Sequence, residues 1–247
     1  MEQVTIERIH GIAVVRIDDG HENRFGRGLA ESLRLAALSL QDTPASAVLI
    51  EGGTDFSAGL ADTDDPLFDP FRQLVACRDA FRAQEIVQRY QNALASLSRL
   101  PCPVVAAIEG RCHGPALALA LSADIRVASL ESTFAPTPLS LGLVPGVGEL
   151  TQLGHRAGLH RIAATVLTGG SWDATEALDL GLVSQLVPPG TAASVGMELI
   201  EAMLALPSAT RLQALVTLRA MAADPAKAAN AESEGGARTW VRGEWQR

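Results

Sequence analysis

The stretch that most constrains this chain runs from Pro101 to Ser129, where strand, helix and strand follow one another with almost no connecting residues. PCPVVAAIEG is an apolar run entered through two prolines and reads as a strand. RCHGPALALALSAD places a Gly-Pro turn at the head of a small-residue helix that ends near Asp124. Proline suits the first turn of a helix, where its missing N–H costs no intrahelical bond. IRVAS is a second strand, and FAPTPLSLGLVPGVGELTQL follows it. That succession is in keeping with an α/β (α+β) architecture.

The flanking sequence carries the same cadence. VTIERI and IAVVRID meet at His10-Gly11 and predict a hairpin. Apolar residues at helical spacing predict a helix over Leu29–Leu40, then SAVLIEGG a buried strand. DFSAGLADTDDP is a turn-rich loop holding Asp62, Asp64 and Asp65. A single long helix is expected over Leu74–Leu100, and strands over Val104–Ile108 and Asp124–Ala128. Further on we expect a helix at Arg161–Leu167, a helix hairpin in TGGSWDATEALDLGLVSQLVP and a short strand at Val183–Val187. Beyond Thr191 the chain reads as Ala-rich helix, with Trp240 and Trp245 as packing groups near its end.

Composition narrows the function classes. At 247 residues with 47% apolar and 19% charged residues, the chain can bury a substantial core and is not disordered. A net charge of −8, with Lys227 the only lysine, argues against nucleic-acid binding. Cys77, Cys102 and Cys112 form no C-x-x-C pair, so buried inert thiols are the simpler reading and no metal is expected. The N-terminus is charged from Glu2, and no apolar run reaches about 18 residues, so a cytoplasmic protein with no membrane span is expected.

The order and spacing of GRCHGPALALALSAD, FSAGLAD and FAPTPLSLGLVPGVGELTQL resemble the crotonase (enoyl-CoA hydratase/isomerase) superfamily, from about Val4 to Pro188. The resemblance implies a spiral of strand–strand–helix turns over residues 1–189. It also implies a C-terminal helical lid or oligomerisation region over 190–247, and a homotrimer or hexamer. No tightly bound cofactor is implied, only a coenzyme A thioester as substrate or ligand.

The resemblance also assigns roles. Two backbone N–H groups would hold the thioester oxyanion, and losing one such donor costs roughly 3–4 kcal/mol. The first falls on Leu60, after Ala58-Gly59, although an ordinary glycine turn accounts for those residues equally simply. The second falls on the middle of Gly114-Pro115-Ala116, where Pro115 has no N–H. Ala116 is the neighbouring alternative. The hydratase glutamates fall on Ala118 and Pro138, neither of which transfers protons. His113 and Glu149 are the polar groups able to replace them. Each also has a plain structural reading, a histidine bonded at a turn and a carboxylate at a helix N-terminus. Coenzyme A would meet Ala58, Gly59 and Asp62, with Arg24 and Arg27, and Arg238 or Arg242, near its phosphates. Acidic residues 62–65 oppose a polyanion there, so a carrier-protein thioester is an alternative.

Three functions follow. The first is a thioester-binding protein that does not hydrate its ligand. The second is an enzyme with a rebuilt site for decarboxylation, isomerisation, C–C hydrolysis or thioester hydrolysis. The third is a structural partner without ligand.

Overall fold

The computed structural model describes residues 3–20, 22–60, 80–137, 139 and 145–223. β1 (Val4–Ile9) and β2 (Ile12–Ile17) form the expected antiparallel hairpin. Its two-residue turn places His10 at φ 49° and Gly11 at φ 83°, the backbone a tight hairpin requires. α1 (Arg27–Asp42) then leads to β3 (Ala47–Glu51), which pairs parallel to β2.

α2 (Ala80–Leu94) ends earlier than its periodicity predicts. A single 3₁₀ turn, Leu97–Arg99, replaces the continuation to Leu100. Ser96 and Ser98 are the physical reason. Their hydroxyls donate to the carbonyls of Ala93 and Ala95, three residues back, competing with the helical ladder. Residues 74–79 lie outside the described part.

β4 (Val104–Ile108), β5 (Arg111–His113), α3 (Pro115–Ser122), β6 (Ile125–Ser129) and β7 (Thr133–Ala135) realise the strand–strand–helix cadence. Each β-pair sends its first strand into a six-stranded sheet, β1-β2-β3-β4-β6-β9, and its second into a three-stranded one, β5-β7-β8. The second strand begins at Ile125 because the Asp124 carboxylate is diverted. It accepts from the Val104 N–H at 2.8 Å and grips Arg219.

α4 (Glu149–Ala157) and α5 (Leu159–Thr168) follow. The expected helix hairpin after Thr168 does not form. Instead β8 (Trp172–Asp173) joins the small sheet and α6 (Ala174–Asp179) is a single short helix. Asp173 starts that helix with a reciprocal capping box to Glu176, and Gly181, at φ 72°, turns the chain into β9 (Gln185–Val187).

β4 is buried along its whole length, because helices cover both faces of the large sheet. α7 (Ala192–Leu204) lies on the face opposite α1 and α3, packing Ala192 and Ile200 on Leu49, Val105 and Val127. A Cβ at Gly196 would meet the Leu49 Cδ1 at 2.8 Å, so a larger residue there would make the Leu49 side chain shift. α8 (Ser208–Ala223) turns away after Pro207 and is pinned by Arg219. The Arg219 guanidinium is bidentate to Asp124 and donates to the Leu100 carbonyl at 2.7 Å. Among the described residues no single helix is long and apolar enough to cross a membrane.

Candidate functional site

Four chain segments meet beside the small sheet around a cleft of about 350 Å³, lined by residues 58–60, 113–114, 135–137 and 169–171. The first wall is the loop after β3. Its backbone is tied to β5 by Ser57 N–H to Arg111 carbonyl at 2.8 Å and His113 N–H to Ser57 carbonyl at 3.1 Å. Ala58 N–H donates to the Glu22 carbonyl, and Gly59 N–H to the Ser57 hydroxyl. Gly59 has a φ of 103°, a backbone conformation that residues with a side chain rarely adopt. Of residues 57–60, only Leu60 presents an N–H that no described residue accepts.

A charged brace fixes this wall from outside. Arg111 bonds Asp55 at 2.8 Å and Glu22 at 2.7 Å, and Arg24 holds Glu22 from the other side. The guanidinium keeps the Asp55 and Glu22 carboxyls below their usual range. Arg24, expected beside the ligand phosphates, is therefore already engaged with Glu22.

The second wall is built from β5, the head of α3 and the chain after β7. Gly114 N–H donates to the Ala135 carbonyl at 2.8 Å, so it is not available to a ligand. Pro115 opens α3, and the Leu117 N–H folds back to Gly114. Ala116 and Ala118 are buried in α3 and line none of the cleft. Gly114 itself does line it. A methyl group there would lie 3.3 Å from the Thr137 hydroxyl and 3.8 Å from the Leu60 nitrogen, so the three groups are close neighbours.

The two candidate proton carriers sit differently. His113 lines the cleft, but its Nε2 is 2.9 Å from the Thr133 hydroxyl. Burial, then the Arg111 charge, pushes the imidazole pKa down, with Asp55 opposing, so His113 favours the neutral form. Glu149 is fully buried at the first position of α4. One carboxyl oxygen accepts from the Thr137 N–H at 2.8 Å, and the other has no partner. Burial raises its pKa against the opposing bonds from Thr137. Glu149 therefore stands one residue behind the cleft, with Thr137 between.

Sequence reasoning passed over Thr137 and Ser171. Thr137 stands inside FAPTP beside the Pro138 that drew notice, and Ser171 in a segment expected to be helical. A hydroxyl is an ordinary strand-end or turn residue and gives no periodic signal. Asp62, Asp64, Asp65, Pro138, Cys77, Trp240, Trp245, Arg238 and Arg242 lie outside the described residues, as does the Arg27 side chain. No cluster of metal-ligating residues occurs among the described ones.

This arrangement can be set against known proteins. The enoyl-CoA hydratase/isomerase family model matches residues 7–237. The chain belongs to that family. The Mycobacterium avium (strain 104) protein named "Probable enoyl-CoA hydratase echA17" is 33% identical over 181 residues, 72% of this chain and 66% of its own length. The chain thus spans just under two thirds of the curated relatives it matches. A crystal structure from Mycobacterium abscessus, assigned as an enoyl-CoA hydratase/isomerase, superposes with a TM-score of 0.83 at 28% identity, covering 96% of this chain and 90% of its own. An assigned enoyl-CoA hydratase from Thermobifida fusca YX, crystallised with acetoacetyl-CoA, gives a TM-score of 0.83 at 25% identity, over 98% and 96% of the two chains. In this chain positions 115 and 118 are proline and alanine, and positions 137 and 149 are threonine and glutamate.

Proposed function

We propose that the cleft binds an acyl-CoA thioester and polarises its carbonyl without hydrating a double bond. The observation that carries this reading is the Leu60 N–H. It is the unclaimed donor of a braced loop, at a cleft edge beside Gly114. A preorganised donor in a desolvated site is what a developing thioester oxyanion needs. Membership of the family and the acetoacetyl-CoA held by the Thermobifida fusca relative support the ligand class. Ala118, buried in α3, offers no acid or base for water addition, which supports a role other than that of a standard hydratase.

An active enzyme with rebuilt proton chemistry is the second reading, favoured by the buried Glu149 and its unpartnered oxygen. Such an enzyme would enolise, isomerise or decarboxylate its thioester. An acyl-carrier thioester is the alternative ligand, since Arg24 is tied to Glu22. We also propose the homotrimeric or hexameric assembly implied by the family, which analytical ultracentrifugation would check.

Thermal-shift and turnover series with acetyl-, crotonyl- and malonyl-CoA test the reading. Saturable stabilisation without 3-hydroxybutyryl-CoA from crotonyl-CoA is the expected result. Hydration of crotonyl-CoA at rates of ordinary enzymes would overturn it. Absence of stabilisation by any thioester, carrier-linked ones included, would leave the purely structural role.

A further inference from the structure

The loop of residues 57–60 offers one backbone donor, whereas a thioester oxyanion accepts more than one hydrogen bond and Pro115 supplies none. We propose that the Thr137 hydroxyl is the second donor to the thioester oxygen, held in place by the Glu149 carboxyl. The proposal rests on the acyl-CoA reading above and assigns a residue within that same site.

The geometry gives the reasons in order. Thr137 lines the cleft together with Gly114 and Leu60. A single methyl group on Gly114 would contact both the Thr137 Oγ1, at 3.3 Å, and the Leu60 nitrogen, at 3.8 Å. Donor nitrogen and hydroxyl oxygen therefore both lie near the bare Cα of Gly114, where the missing side chain lets a ligand oxygen approach the two groups.

Glu149 is the group that can orient the hydroxyl. Its carboxyl already bonds the Thr137 backbone N–H at 2.8 Å. A hydroxyl has one proton to donate. If Glu149 were ionised, it would take that proton and leave none for a ligand. A protonated Glu149 carboxyl donates to Oγ1 instead and turns the Thr137 proton toward the cleft. Two features favour the protonated form. Glu149 is fully buried with one oxygen lacking a partner, and among the described residues no basic side chain bonds it. Burial raises its pKa in keeping with this. A buried carboxyl kept neutral so that it can donate is an established way of building an oxyanion site. Glu149 is on this account a positioning residue that never touches ligand.

Acetoacetyl-CoA and butyryl-CoA separate the possibilities, because the first presents an enolate with its own ultraviolet band and the second a neutral thioester. Wild-type protein is expected to bind both and to develop the enolate band with acetoacetyl-CoA. Thr137→Val, nearly isosteric, should weaken acetoacetyl-CoA roughly 10- to 100-fold and abolish the band, the usual cost of a hydrogen bond to charge. Its butyryl-CoA affinity should change by less than about threefold, since a neutral carbonyl draws less from the donor. Thr137→Ser should restore the band. Glu149→Gln, which keeps an N–H to donate to Oγ1, should retain it, whereas Glu149→Ala should lose it. A Thr137→Val protein with wild-type band and affinity overturns the assignment, as does one weakened equally toward both ligands. Failure of wild-type protein to bind either thioester overturns the acyl-CoA reading itself, and this assignment with it.

Discussion

The two walls of the cleft are held in place by different means. The wall from the loop after β3 is braced by charge from outside, through Arg111, Asp55 and Glu22, and offers only backbone to the cleft. The wall from α3, β7 and α4 is braced from inside by a buried carboxyl and offers side chains. A backbone donor survives almost any change of neighbouring side chain, whereas a side-chain donor depends on one residue and one orientation. That difference divides what is unspecific to this chain from what is particular to it.

The largest expected effect breaks the backbone wall. Leu60→Pro removes the unclaimed N–H while leaving the Phe25 N–H bond to the Gly59 carbonyl in place. Enolate affinity for acetoacetyl-CoA should fall about 100-fold, the cost of one oxyanion donor. Calorimetric titration against butyryl-CoA, with circular dichroism to confirm the fold, is the check. An unchanged enolate band would show that the thioester lies elsewhere.

Next comes a variant that makes the second wall resemble the first. Pro115→Gly returns an N–H to the head of α3, where Pro115 has no hydrogen bond to lose. If Thr137 now does the work of that missing donor, enolate affinity should rise about tenfold, and Thr137→Val in the same background should cost less than about threefold. Full additivity of the two changes would mean that the helix start and the hydroxyl serve different atoms.

The same contrast explains what could be read in advance. The large sheet and the α3 segment were legible because burial on every side forces continuous apolar runs on Val48–Ile50, Val104–Ile108 and Leu117–Leu121. The backbone wall was legible through spacing, since Gly59 is required at φ 103° whatever its neighbours. The second wall was read only in part. Pro115 and Ala118 identify themselves, but Thr137 gains meaning solely from Glu149, twelve residues away and brought against it by the turn into α4. The helix break at Ser96 and the missing hairpin after Thr168 were lost for a similar reason. Local serine and capping-box bonds outweighed apolar periodicity there.

A moderate effect is expected where the walls touch. Gly114 has φ 58° and ψ −129°, and a methyl group there would crowd Thr137. Gly114→Ala should lower stability by about 1–3 kcal/mol through backbone strain and fill the space near the two donors. Chemical denaturation would report the first effect and thioester titration the second. A variant of native stability that binds acetoacetyl-CoA normally would mean the space beside Gly114 is not where the ligand oxygen sits.

The smallest effects are on stability, and two buried groups of the second wall should show opposite signs. His113, on the second wall's strand edge, has a folded pKa below its usual 6.5, chiefly from burial. The folded state therefore holds its proton more weakly than the unfolded chain does. Its stability is complete above pH 6.5 and declines as the pH falls below that value. Glu149 has a folded pKa above its usual 4.5, again chiefly from burial. Its folded state holds the proton more tightly, so its contribution is complete below pH 4.5 and declines as the pH rises through the folded value. His113→Gln should then flatten the melting temperature between pH 7 and about 5, and Glu149→Gln should raise it most near neutrality. The two slopes are separable because each variant removes one titrating group and keeps a polar amide in its place. A Glu149→Gln protein less stable at neutral pH would show that the carboxylate is ionised and paired there. The Thr137 proton would then point at Glu149 and away from the cleft.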